Sequence, residues 1–336
     1  MTKIRPDLYL VSRFPNIAEE LKKCLPEEVN LIVVPISDQS KRWDVEIILT
    51  DEELNFIKDA ETLVMDSMYL SPLLYKLPKA KWVQTTWAGV EMLMQNVDKT
   101  KPSPNFTLTR YVDPYFGELM SNYVIAQIIN IERDLYALHD KQKSSEWARP
   151  NFPHSRVISD LKIGILGSGK LGSSVGSLLR KAGAWVFAYV RSVRTESSDA
   201  YDKATTNLLD LLECCDYLIN VLPSTAETRT LLDPDVFRNC KKKPVFINIG
   251  RGDIIKENNI IRALEQGWIS KAVLDVFQKE PLPPESPLWQ NPGVIVTPHI
   301  GAIPKMNGIA EFIGQNYQRY VHGEPLANVV EWMRGY

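Results

Sequence analysis

Apolar positions along the chain come in short blocks, separated by polar stretches with helix-like spacing. In the first third the blocks are Leu8–Val11, Leu31–Pro35, Val45–Leu49, Thr62–Met65 and Trp82–Thr85, and segments between them, such as Asp51–Asp59, read as helices. Strand–helix alternation of this kind predicts a parallel sheet covered on both faces. A long helix is expected from Pro114 to about residue 138, because Met120, Val124, Ile128, Ile131, Leu135 and Leu138 fall on one helical face. Ile125 and Ile129 widen that stripe, as for a helix buried between two bodies. The polar, proline-bearing stretch from His139 to Asp160 has no clear period and reads as a loop, an arm or a contact to a second subunit. Alternation then resumes with Lys162–Leu166, Trp185–Val190, Tyr217–Val221, Val245–Ile249, Ala272–Val276 and Val294–Thr297. A final helix, about Lys305 to Val321, is expected to pack back on the first third.

Length supports this two-part reading, since 336 residues exceed one ordinary core and suit two domains. The chain is 44% hydrophobic and 24% charged, as in a soluble globular protein, and its formal charge of -2 gives no field that would favour nucleic acid or an anionic membrane. The densest basic run, Lys241-Lys242-Lys243, reads as a solvated loop before a strand. Cys24, Cys214, Cys215 and Cys240 form no C-x-x-C and no zinc pattern, so no metal is expected and the thiols read as reduced. The start, MTKIRPD, lacks a signal-peptide core, and no apolar run is long enough to span a bilayer. The expected location is the cytoplasm.

Chemistry first shows after Lys162–Leu166, where Gly167-Ser168-Gly169-Lys170-Leu171-Gly172 opens a helix. A bare G-x-G-x-x-G is weak evidence, but here a strand precedes it, a helix follows and a strand comes next. Gly167 permits the tight turn, Gly169 lets backbone approach a pyrophosphate, and Gly172 lets helix pack near strand. The phosphates would rest on the positive helix end. The second half of the chain is therefore expected to bind a dinucleotide. About twenty residues on, the next strand ends in Arg191-Ser192-Val193-Arg194, where an NAD site would carry Asp or Glu for the ribose hydroxyls. Two guanidiniums suit a ribose phosphate instead, so NADP (as NADPH) is expected, with NAD used less well.

Three residues lie where open parallel sheets bind ligands, at or just beyond strand carboxyl ends. Arg251 follows Val245–Ile249, Glu280 lies four residues past Val276, and His299 ends the last strand. Reduction of a 2-oxo acid needs a proton donor for the developing oxyanion, and imidazole suits because it titrates near neutrality. A neighbouring carboxylate would fix its tautomer, and an arginine can hold both the substrate carboxylate and the carbonyl oxygen. The chain has four histidines, and His299 alone among them sits at a strand carboxyl end.

From Leu161 to Gly301 the chain resembles the D-isomer-specific 2-hydroxyacid dehydrogenases. The resemblance rests on the glycine loop, on Leu222-Pro223-Ser224-Thr225-Ala226-Glu227-Thr228, and on Asn248–Gly252. It rests equally on Leu274-Asp275-Val276-Phe277 with Glu280-Pro281, and on Pro298-His299-Ile300-Gly301. It implies that Arg251 binds substrate, His299 donates the proton and Glu280 orients His299. It also implies that Asp275 sits near the nicotinamide carboxamide and that Leu222, Pro223, Ile249 and Gly250 line the cofactor cleft. Trp87, Ala88 and Gly89, with Val90, would cradle the substrate carboxylate on backbone N–H groups. The fold implied is α/β, with two Rossmann-like domains built on parallel sheets. One is a flavodoxin-like, discontinuous substrate domain (1–110 and 303–336), the other an inserted dinucleotide-binding domain (111–302). The long helix would bridge the two, and closure between them would exclude water. The Arg191-x-x-Arg194 pattern is similar to the glyoxylate/hydroxypyruvate reductase branch, which uses NADPH and is dimeric. Trp147 resembles a tryptophan that such dimers place at the partner's active site.

The expected reaction is thus reduction of a small 2-oxo acid to the D-2-hydroxy acid by a homodimer, with no nucleic-acid or membrane partner. A larger substrate, such as phenylpyruvate or a branched-chain 2-oxo acid, is the alternative; Met68, Tyr69 and Trp87 are the pocket residues that would decide it. Phosphoglycerate is disfavoured, since the chain ends at Tyr336 without a regulatory domain. A reading of another class is an NAD(H)-sensing corepressor-like binding protein, against which the missing acidic ribose ligand counts.

Overall fold

The structure is a computed structural model that describes residues 7–38, 45–149, 155–192 and 198–335. It is an α/β fold in two compact units, Met1–Asp113 with Pro304–Tyr336 and Pro114–Ile303. In the first unit the chain runs β1 (Leu8–Val11), α1 (Ile17–Cys24), β2 (Leu31–Val33), α2 (Asp51–Ile57) and β3 (Thr62–Met65). It continues through α3 (Ser67–Leu70), β4 (Trp82–Thr85), α4 (Glu91–Gln95) and β5 (Thr107–Thr109). The described strands form one all-parallel sheet in the order β2-β1-β3-β4-β5, the flavodoxin-like winding, whose order reverses between β1 and β3. β3 is buried along its whole length, as a central parallel strand with helices on both faces must be.

The second unit begins with α5 (Pro114–Glu132) and α6 (Leu135–Lys143), followed by β6 (Lys162–Leu166), α7 (Lys170–Lys181), β7 (Trp185–Tyr189) and β8 (Lys203–Thr205). Then come α8 (Leu208–Leu212), β9 (Tyr217–Asn220), β10 (Val245–Asn248), α9 (Glu257–Glu265), β11 (Lys271–Leu274) and β12 (Val294–Val296). Its described strands are again all parallel, in the order β12-β11-β10-β9-β6-β7-β8. The winding reverses between β6 and β9, so the loops after these two strands flank a crevice suited to a dinucleotide. The chain then returns to the first unit as α10 (Met306–His322), whose Ile309, Ala310, Ile313 and Tyr317 are fully buried there. Tyr320 stacks on Trp82 at 5.3 Å, and Gly314 lies against the backbone of Cys24 where a Cβ would come within 2.8 Å of its carbonyl oxygen.

Three sequence expectations are corrected. Val45–Leu49 is not a strand. Its residues do alternate between half-buried and exposed up to Leu49, but it pairs with no described strand, and Ile47 N–H bonds instead to Met68 O at 3.0 Å. The helix expected over 114–138 is two helices, because Asp134 adopts a left-handed conformation (φ 48°) between α5 and α6. Glu132 anchors the end of α5, accepting from Tyr217 Oη at 2.7 Å and pairing with Arg156 at 2.6 Å. Beyond this break Leu135 is exposed, so the apolar stripe continues on the surface. β5 and β8 were not foreseen, being three-residue edge strands, Thr-Leu-Thr and Lys-Ala-Thr, without an apolar run. Among the described residues no helix is long and apolar enough to cross a membrane, and no cluster of His, Cys, Asp and Glu could hold a metal ion.

Candidate active site

The glycine loop lies between β6 and α7, at the reversal of the sheet. Gly167 takes φ +103°, a conformation side chains rarely adopt, and its N–H bonds to Tyr189 O at 3.0 Å. A Cβ on Gly172 would sit 2.0 Å from Gly167 O, so only glycine lets α7 start this close to the strand. Gly169 is different. It caps α7 without a side chain, in an extended conformation open to any residue, and a Cβ there would meet nothing within 4 Å. The loop is thus built tight on its inner side and open on its outer side, where the N-terminal amides of a twelve-residue helix face outward. Ser168, Lys170 and Leu171 line this open side at least partly exposed. These features fit a dinucleotide pyrophosphate. Arg191 and Ser192 are exposed just past β7, and Arg194 lies outside the described residues.

The loops after β9 and β10 meet that cradle. Leu222 lies beside Gly167, and a Cβ on Gly250 would fall 2.7 Å from Leu222 O. On the far side, a Cβ on Gly252 would overlap the backbone of Phe277. The glycines flanking Arg251 therefore let its loop wedge between the loops that follow β9 and β11. Arg251 Nη1 also donates to Gly250 O at 2.6 Å, fixing the guanidinium against its own turn. Pro223 is half-buried and Ile249 fully buried in this group.

His299 and Glu280 are brought together: His299 Nδ1 and Glu280 Oε2 are 2.7 Å apart. Glu280 Oε1 accepts from Phe277 N–H at 2.9 Å. Burial pushes the Glu280 carboxyl up, but the hydrogen bond and charge of His299, the Phe277 amide and the Arg251 guanidinium outweigh it and hold the group below the usual carboxylate range. With Nδ1 facing the carboxylate, Nε2 is the ring atom left to meet a substrate. His299 itself takes φ 55°. Asp275 holds this turn. Its buried carboxylate accepts from Thr297 Oγ1 (2.6 Å), Ile300 N–H (2.9 Å) and Gly301 N–H (2.8 Å), and Tyr123 Oη lies 2.7 Å from Thr297 Oγ1. Both oxygens of Asp275 are thus engaged by the segment that carries His299.

Trp87, Ala88 and Gly89 belong to the first unit, after β4. Trp87 N–H points to Thr85 Oγ1 at 3.3 Å, Trp87 O accepts from Tyr111 N–H at 3.1 Å and Ala88 O from Arg110 at 2.8 Å. The Trp87 amide is therefore spent on its own turn, and its indole packs against the core of that unit. Asp66, buried at the end of β3, ties this turn to the one after β1 through Thr86 Oγ1 (2.7 Å), Ser12 Oγ (2.8 Å) and Arg13 N–H (3.0 Å). Met68 and Tyr69 are fully buried beside it, and do not line an open surface of this unit.

Sequence reasoning gave no role to Asn220, and took Asn248 only as the start of the Asn248–Gly252 motif; they are the last residues of β9 and β10. Both are buried, and Asn220 Nδ2 donates to Asn248 Oδ1 at 2.8 Å. Their signal was legible, since each is a polar residue closing an otherwise apolar strand, Tyr-Leu-Ile-Asn and Val-Phe-Ile-Asn. A buried amide must find partners, and at a strand end those are the loops.

The family model of the D-isomer specific 2-hydroxyacid dehydrogenase NAD binding domain matches residues 125–301, just over half of the chain. Among solved structures, a D-isomer specific 2-hydroxyacid dehydrogenase family protein from Aeromonas salmonicida is 29% identical with a TM-score of 0.81, covering 98% of this chain and 99% of its own. A D-isomer specific 2-hydroxyacid dehydrogenase from Xanthobacter autotrophicus, in complex with NADPH and MES, is 26% identical with a TM-score of 0.82, covering 99% and 100%. An NADPH-dependent glyoxylate/hydroxypyruvate reductase from Sinorhizobium meliloti, in complex with NADP and sulfate, is 27% identical with a TM-score of 0.81, again covering 99% and 100%. With the family model spanning the glycine loop, Arg251, Glu280 and His299, the chain belongs to the D-isomer specific 2-hydroxyacid dehydrogenase family.

Proposed function

We propose that this protein reduces a small 2-oxo acid of the glyoxylate/hydroxypyruvate kind to the D-2-hydroxy acid, using NADPH. The observation that carries this reading is the 2.7 Å pair of His299 and Glu280, on the carboxyl edge of a sheet whose reversal holds a phosphate cradle. The Sinorhizobium meliloti reductase and the NADPH complex from Xanthobacter autotrophicus support the cofactor and substrate class.

Residues 1–110 and 303–336 would form the substrate domain and 111–302 the cofactor domain. Gly167 to Gly172 would hold the pyrophosphate, Arg191 with Ser192 and Arg194 the ribose phosphate, and Leu222, Pro223, Ile249, Gly250 and Asp275 the wall toward the nicotinamide. NADPH, when bound, supplies the hydride that reaches the carbonyl carbon. Arg251 holds the substrate carboxylate and carbonyl oxygen, with the amides around Ala88 and Gly89 as a second hold on the carboxylate. His299 delivers its proton from Nε2 to the oxygen as negative charge develops, while Glu280 keeps the ring oriented. NAD serves less well because no carboxylate stands at the end of β7 to receive ribose hydroxyls. The four unbridged cysteines support a reducing, cytoplasmic setting.

The test is NADPH oxidation in the presence of glyoxylate, hydroxypyruvate, phenylpyruvate and a branched-chain 2-oxo acid. Fastest turnover with the two small acids is expected. Preference for phenylpyruvate would move the assignment to larger substrates, and no oxidation with any of them would remove the enzymatic reading.

A further inference from the structure

The loops that carry the proposed cofactor wall and the proposed substrate guanidinium are joined by one continuous line of buried amides. Asn220 Oδ1 accepts from Leu222 N–H at 3.1 Å, and Asn220 Nδ2 donates to Asn248 Oδ1 at 2.8 Å. Asn248 Oδ1 also accepts from Gly250 N–H at 3.2 Å, while Asn248 Nδ2 donates to the carbonyl oxygen of Arg251 at 3.1 Å. The two side chains are 0% and 1% exposed, so these bonds do not compete with bulk water. Every polar atom of both amides is used, and each amide is used in both senses, as donor and as acceptor. A carboxylate, an alcohol or an apolar group of similar size could not complete the line.

Packing alone would not need this arrangement. β9 and β10 are already paired by their backbones up to Asn220 and Asn248, and Ile249 N–H bonds to Asn220 O at 3.1 Å. The side-chain line begins where the ladder stops, and its far end is the backbone of Arg251. Arg251 stands between two glycines, so its own neighbours contribute no side-chain contact to hold the turn. We infer that Asn248, with Asn220 behind it, is a positioning residue for Arg251. It sets the guanidinium for the 2-oxo acid carboxylate and ties that setting to the Leu222–Pro223 wall. This rests on the substrate role proposed for Arg251.

Asn248→Asp is the sharpest test, because it keeps the volume but turns the donor facing Arg251 O into an acceptor. The expected result is a rise in the Michaelis constant for the 2-oxo acid of about 10-fold to 100-fold, the scale of a small misplacement of a binding group, with the NADPH dissociation constant within about twofold of wild type. Asn220→Asp should weaken both ligands, because the line starts at Leu222. Asn248→Ser serves if the aspartate does not fold, and should move the Michaelis constant the same way; Asn248→Gln, which keeps both functions on a longer arm, should recover part of it. Folded Asn248 variants that keep the wild-type Michaelis constant would overturn the inference. So would a loss shared equally by NADPH binding and substrate in the Asn248 variants, since that is what general loosening of the domain produces. Absence of 2-oxo acid turnover in the wild type would instead strike the proposed function.

Discussion

His299 occupies a left-handed backbone position, a conformation histidine enters more readily than most residues, while Nδ1 is tied to Glu280. The pair also fixes a pH dependence. Because Glu280 is held below the usual carboxylate range, its contribution to folding is complete above its unfolded value, about 4.3 for glutamate, and is lost as pH falls through the lower folded value. In Glu280→Gln, urea unfolding measured at pH 7 and near pH 3 should show a smaller difference between the two than wild type does; an unchanged difference would show that the pair contributes nothing. The same variant should reduce turnover without weakening NADPH binding. At the other end of the dinucleotide site, Arg191→Ala should raise the Michaelis constant for NADPH by about 10-fold or more while leaving that for NADH within about twofold, since only the former presents a phosphate to a guanidinium. Equal effects would refute a phosphate-binding role. Legibility at this scale followed chemistry. Arg251, Glu280 and His299 stood out jointly, on one rim downstream of a glycine loop, since a lone histidine or a glutamate before proline has an ordinary structural reading; Asn220 and Asn248 lay inside blocks read as the strands Tyr217–Val221 and Val245–Ile249.

Elements were readable wherever burial imposed a pattern. β1, β3, β4 and β6 have the bounds expected from their apolar runs, because a strand buried on both faces has little choice of side chain. β5 and β8 lie at sheet edges, β5 meeting only an isolated antiparallel bridge at Val329 on its outer side, and polar residues are tolerated there, so nothing in their composition set them apart. Val45–Leu49 shows the opposite case, a two-residue alternation without a ladder: one side faces the protein and the other faces out, but no described strand pairs with it. Helix α5 stopped early because Asp134 turned the chain, an event that apolar spacing does not record. The α7 entry offers an element-scale test. Gly172→Ala would force a Cβ to 2.0 Å from a carbonyl oxygen and should destabilise the domain. Gly169→Ala has an allowed backbone and open space, so thermal stability should match wild type while NADPH affinity falls by about 10-fold or more, the Cβ standing where a pyrophosphate must approach. Unimpaired NADPH binding by Gly169→Ala would mean that the cradle holds something else.

On the scale of the whole molecule, the exposed apolar residues Ile129, Leu135, Tyr136, Trp147 and Val157 fall in one stretch of chain, and Trp147 is 89% exposed. If the chain forms the homodimer expected from its sequence, a second copy would cover them. Light scattering should therefore give twice the 38.2 kDa chain mass, and Leu135→Glu with Trp147→Ala should shift it toward the single-chain value. A wild type that elutes as a single chain would refute the homodimer. The two parallel windings were legible from strand–helix alternation, while their strand orders were implied only by the family resemblance, because order depends on which crossover returns beside which strand, and that is settled in three dimensions.

The first unit takes its sheet from the beginning of the chain and α10 from the end, with all of the second unit made in between. A ribosome releases the five strands long before it releases Ile309, Ile313 and Tyr317, which fill the seat beside α1 and Trp82. For that interval, tens of seconds at roughly 5–20 residues per second, the nascent sheet carries an uncovered apolar face. Chaperone binding to ribosome-bound chains should therefore persist until the last helix emerges, even though the inserted unit is by then able to fold.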